Sequence, residues 1–238
     1  MNKSIVKLFS KIHLSALLLV VLMTVSAGSV QAEVDSHEVA YAQALNKVVE
    51  SHGRLVNEME RVRVGQVHHF DYLQNEHLEL LRFAGALRFP PASLPAARRA
   101  EMTRHAENML AQVSDLEWVI ADFLRSHAQL GSGLSNAIDL AKLQAARASD
   151  TQMKSTLNRL GKAAEQFRQQ PDSSSLEALS QAFSDIDYNS LSEQSSGELK
   201  FQQRLILGNA TKPEAYQESV RDTNLEDSVR QLEMLLQG

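Results

Sequence analysis

The chain has 238 residues, 43% of them hydrophobic, with 24 lysines and arginines, 29 acids and no cysteine. The absence of cysteine excludes disulfides, thiolate metal sites, covalently attached c-type haem and a lipidated N-terminus, so stability has to come from packing. The acidic balance argues against nucleic acid and anionic membrane surfaces as partners; it becomes 21 bases against 29 acids, or −8, once Lys3, Lys7 and Lys11 leave with a leader.

That leader is residues 1–32. Its three lysines form a basic n-region, Leu14 to Val25 is an apolar run, and Val30-Gln31-Ala32 fits a small-x-small cleavage site. Export to the periplasm follows, with a mature N-terminus at Glu33. An uncleaved anchor is the alternative, although Ser26, Gly28 and Ser29 would make a poor span. No second apolar run follows, so no membrane span is expected after cleavage.

From about Asp35 to Phe89 a heptad pattern predicts one long helix, continuous or slightly kinked. Leu45, His52, Met59, Gln66, Leu73, Leu80 and Leu87 share one phase, and Val48, Leu55, Val62, His69, Glu76 and Phe83 lie three residues after them. At 1.5 Å per residue this is a rod of about 80 Å. Gly53 and Gly65 interrupt it, and Gly65 is read as a close approach or a bend. Pro90-Pro91 then stops it, and Ser93 with Pro95 reads as the start of a second helix carrying Met102, Met109, Leu116, Phe123 and Leu130.

Two long helices joined by a proline turn make an antiparallel hairpin over residues 33–133, ended by Gly131-Ser132-Gly133. Residues 134–238 supply further helices packed on it. The first runs from Leu134 to Gln169, and a stop at Gln170-Pro171-Asp172 caps the next. A weak helix follows Tyr188, and a last amphipathic one opens at Lys212-Pro213-Glu214. No segment alternates like a strand. The fold class is therefore all-α, elongated antiparallel bundles forming one continuous helical unit.

Phosphate loops, His-Glu-x-x-His, Gly-x-Ser-x-Gly and a cysteine nucleophile are missing, so no enzyme is expected. Arg63, Gln66 and His69 instead put polar groups in the middle of an apolar seam, where each needs a partner. They either fix register and meet water, or form a small-ligand site between helices. If the hairpin is symmetric about residue 91, His77 lies level with His105, and those two imidazoles form an alternative metal site. The heptad phase of Met59, Met102 and Met109 marks them as core filler rather than haem ligands, and no cofactor is expected.

At Arg63-Val-Gly-Gln-Val-His-His-Phe-Asp-Tyr-Leu73 and at Asp122-Phe-Leu-Arg-Ser-His-Ala-Gln-Leu130, the chain resembles the DAHL family, double all-α-helical sensor domains of bacterial membrane receptors. Arg63, Gly65, Phe70, Asp71 and Leu73 match its first element. Phe123, Ser126, Ala128, Leu130 and Leu134 match its second. The chain departs from the pattern at Tyr72, where proline stands in the family, at His127, where asparagine does, and at Ser132-Gly133 in place of Asn-Ser.

The resemblance implies a periplasmic domain that senses a small ligand or a partner. It would place an anionic group on Arg63, a donor on Asp71, and His127 beside them. The family's receptors continue into a second membrane span and a signalling module. Because this chain ends without them, it is expected to be a stand-alone relative acting through a membrane sensor protein or as a homodimer.

Overall fold

A computed structural model describes residues 36–66 and 70–237. The leader, its cleavage site and His69 lie outside the described residues. All regular structure among the described residues is helical, and no helix there is long and apolar enough to cross a membrane.

The first departure from the heptad reading is at Gly65. Helix α1 spans 36–63, and α2, Asp71–Ala86, does not continue it but turns back along it. Tyr41, near the start of α1, donates its hydroxyl to Leu87 O just beyond the end of α2, at 3.0 Å. Arg54 meets both Glu76 (2.8 Å) and Glu79 (3.0 Å). Gly65 builds the turn. Its φ is +73°, its N–H donates to Val62 O at 3.0 Å, and the N–H of Gln66 reaches back to Arg61 O at 2.9 Å. These are the two bonds of a Schellman cap, in which the left-handed residue closes the helix and satisfies its last carbonyls. A heptad register cannot show this fold-back, because α1 and α2 each present an apolar stripe whether or not the chain reverses between them.

The rod of the molecule is instead α3, Ala96–Arg147, whose 52 residues make it about 78 Å long. Gly131 and Gly133 do not end it. A Cβ on Gly133 would lie 3.0 Å from Ile206 and 3.3 Å from Leu205, so this glycine admits a neighbouring helix rather than a turn. The break comes at Ala148-Ser149-Asp150, where the Asp150 carboxylate accepts from the N–H groups of Gln152 and Met153 and caps α4, Thr151–Gln169. Asp172 then caps α5, Ser173–Ser184, in a reciprocal box with Ser175. A short 3₁₀ turn at Tyr188–Ser190 leads to α6, Glu193–Leu207. The expected last helix divides into α7, Lys212–Arg221, and α8, Leu225–Gln237.

These helices bury two separate apolar cores along α3. The first takes Met102 to Phe123 from α3, joins them to α1 and α2, and is completed from the far end of the sequence by Val220, Leu225, Val229 and Leu232 of α7 and α8. The second takes Leu130 to Ala145 from α3 and joins them to α4, α5 and α6. The division therefore falls between Phe123 and Leu130. It does not separate 33–133 from 134–238, since the C-terminal helices return to the first core.

Candidate functional site

The two turns of α3 between the cores form a waist where most other elements reverse. The turn after α1, the turn between α4 and α5 and the linker from α6 to α7 all meet α3 there, enclosing a cavity of about 360 Å³. That is at the small end of the range for sites holding small molecules, roughly 300–1,000 Å³. His127, Leu130, Gly131 and Leu134 line it from one face of α3, at the i, i+3, i+4, i+7 spacing of a single stripe. Phe167, Arg168 and Pro171 come from the end of α4; Pro213 and Glu214 come from the start of α7; Arg63 and Gly65 come from the end of α1.

Arg63 and His127, 64 positions apart in sequence, thus line one cavity. The His127 ring is held on two sides. Phe70 meets it edge-on, with ring centroids 6.1 Å apart and planes at 76°, and Phe123 stacks on it at 6.2 Å and 15°. Phe70, just after the Gly65 turn, is in this way held against the middle of α3, to which Phe123 itself belongs, and the aromatic contacts carry specific geometry beyond their buried area.

The cavity's charges are unevenly committed. Arg63 donates from Nε and Nη2 to the two carboxylate oxygens of Glu60 at 2.9 and 2.8 Å. Those bonds hold the Glu60 carboxyl below its usual range and raise Arg63 above its own, while partial burial opposes both. Glu214, also on the lining, adds its field to Arg63. Arg168 and Glu214 make no ion pair within 4.0 Å among the described residues. Glu165, one turn before Arg168, is bound to Lys142 at 2.9 Å.

The remaining sequence candidates are elsewhere. Gln66 is exposed in the Gly65 turn rather than seated in a seam, so the apolar seam that made it conspicuous does not run past it. His69 is outside the described residues. Asp71 is exposed at the first position of α2, where a carboxylate suits the positive end of the helix dipole, and it does not line the cavity.

The proposed facing of His77 and His105 does not occur. His77 Nε2 lies 2.9 Å from Val113 O, eight positions beyond residue 105, or about 12 Å along α3. The loop 87–95 carries α3 past the end of α2, with Ser93 reaching to Glu38 at 2.6 Å instead of capping α3, and this displaces the register. A carbonyl only accepts, so His77 Nε2 carries the proton. His52 does the same toward Val220 O at 2.7 Å. Both buried imidazoles are satisfied as tertiary hydrogen bonds, and among the described residues no three histidine, aspartate or glutamate side chains gather as a metal site.

Sequence reasoning missed Arg168, Phe167, Pro171, Pro213 and Glu214. The available signal was topological: Gln170-Pro171-Asp172 and Lys212-Pro213-Glu214 are helix boundaries, and boundaries collect where bundles end. Compared with protein families, with characterised proteins and with solved structures, the chain matches none.

Proposed function

We propose that this protein is a non-enzymatic periplasmic sensor or interaction module that binds a small ligand at the waist of α3 and signals by contact with another protein, such as a membrane receptor. One observation carries the reading: two sequence elements distant in the chain, each containing a candidate residue, converge on a single cavity between two cores that share one helix. A ligand there touches elements belonging to both cores, so its binding energy bears directly on how they are held together. The double bundle and the matched positions around the cavity support the resemblance to DAHL sensor domains, and the basic, apolar, small-x-small leader supports export.

Thermal shift with a panel of amino acids, small anions and divalent metals tests the reading, using the purified protein beside Gly131→Leu. A Cβ at Gly131 meets no atom within 4 Å, Gly131 lies on the cavity lining, and leucine is the better helix former, so this variant should occupy the cavity; an unchanged circular dichroism spectrum and urea midpoint check that the cores are kept. A ligand at 100 times its Kd stabilises by about 2.7 kcal/mol, or about 5–10 °C for a chain of this size. Wild type should show such a shift and Gly131→Leu should lose it. Equal shifts in both proteins would place binding elsewhere, and a shift given only by metals would overturn the small-molecule reading.

A further inference from the structure

We infer that the ligand of the waist cavity is a zwitterion with an apolar body, the chemistry of an apolar α-amino acid. This rests on the cavity being a binding site, as proposed above. Arg63 enters already paired with the bidentate Glu60 carboxylate, whereas Arg168 and Glu214, also on the lining, feel only the longer-range fields of Glu165 and Arg63 and make no ion pair within 4.0 Å among the described residues. They have opposite sign, come from different helices, and stay more than 4.0 Å apart. An opposed pair that does not close on itself leaves room for a molecule carrying the complementary charges.

A carboxylate matches the guanidinium of Arg168 in a forked hydrogen bond, and an ammonium matches Glu214. A simple anion would gain Arg168 but bring its charge toward Glu214, with Glu60 behind Arg63. A simple cation would gain Glu214 but leave Arg168 without a counter-charge. The same lining includes apolar side chains, with Leu134 and Phe167 each 2% exposed and Leu130 8%, and it offers an aliphatic or aromatic side chain a dry surface.

Calorimetry separates the possibilities with three probes of one carbon skeleton: L-leucine, 4-methylpentanoate, which lacks the ammonium, and 3-methylbutylamine, which lacks the carboxylate. L-leucine should bind at least tenfold more tightly than either. Glu214→Gln should erase its advantage over 4-methylpentanoate, and Arg168→Gln its advantage over the amine. Both side chains are exposed, so the variants should keep the wild-type circular dichroism and melting temperature, which is checked first. Binding of 4-methylpentanoate or the amine as tight as that of L-leucine would overturn the zwitterion while leaving the cavity a site. So would binding of none of the three by a protein that shows a Gly131→Leu-sensitive shift with another compound. No cavity-dependent shift with any compound of the panel would overturn the site itself.

Discussion

The reversal of the chain at Gly65 predicts that one substitution, glycine to alanine, has opposite signs at two positions twelve residues apart. Gly53 is exposed within α1 and an added Cβ there meets nothing within 4 Å. Gly53→Ala should therefore gain the ordinary helix-interior difference, about 0.8–1 kcal/mol. Space is equally open at Gly65, but its φ of +73° costs an L-residue about 1–2 kcal/mol. Restriction of the unfolded chain offsets only about 0.4–1 kcal/mol of that, leaving a net loss of about 1 kcal/mol. Urea unfolding followed by circular dichroism should move the midpoint up for Gly53→Ala and down for Gly65→Ala. The two sites are too far apart to couple, so the double variant should lie near wild type. Stabilisation by Gly65→Ala equal to that by Gly53→Ala would refute the fold-back, because residue 65 would then sit in a right-handed helix and residues 36–86 would form one rod.

Asp150 caps α4 with bonds to two backbone N–H groups, so Asp150→Ala should cost about 1 kcal/mol in urea unfolding, whereas a helix running through this point would be indifferent or gain. Gln202 is buried in α6 with its Oε1 lacking a hydrogen-bond partner among the described residues, and Gln202→Leu should stabilise by about 1 kcal/mol. Glu60 titrates below its usual range because Arg63 binds its ionised form. Its contribution is therefore present above the ordinary carboxylate range and lost as the pH falls through its folded pKa. The stability gap between wild type and Glu60→Gln should be open at about pH 7 and closed at about pH 3, measured by urea unfolding at each; a gap that widens toward acid would contradict the pairing.

The fold class could be read from the sequence because every helix carries a 3.6-residue apolar stripe, and Leu45, Val113 or Leu157 is buried where that stripe puts it. Where helices end was less legible. Gly65 and Gly133 look alike in sequence, yet one adopts a left-handed turn and the other admits Ile206 at close range. The useful cue at Gly65 was its place after Arg61 and Arg63, basic residues in a last turn followed by glycine. Asp150 followed by an apolar position three residues on was a similar cue for α4. Arg63 and His127 could be picked out as candidates because a resemblance marked both. Arg168 and Glu214 could not, since each reads as an ordinary surface charge until the reversals of α4 and α7 bring them to the same cavity. Register failed for His77 because a nine-residue loop does not fix the stagger of the helices it joins.

The convergence of the two elements is tested most directly by a double-mutant cycle on Phe70 and His127. Their rings meet edge-on at 6.1 Å, although 57 residues separate them in sequence. Wild type, Phe70→Ala, His127→Ala and the double variant would be unfolded in urea at a fixed pH near 8, where an ordinary imidazole is neutral. An aromatic pair in contact should give a coupling of about 0.5–1.5 kcal/mol. Additivity within about 0.3 kcal/mol would mean that the Gly65 turn does not meet the middle of α3, and the cavity would lose the wall that Arg63 supplies.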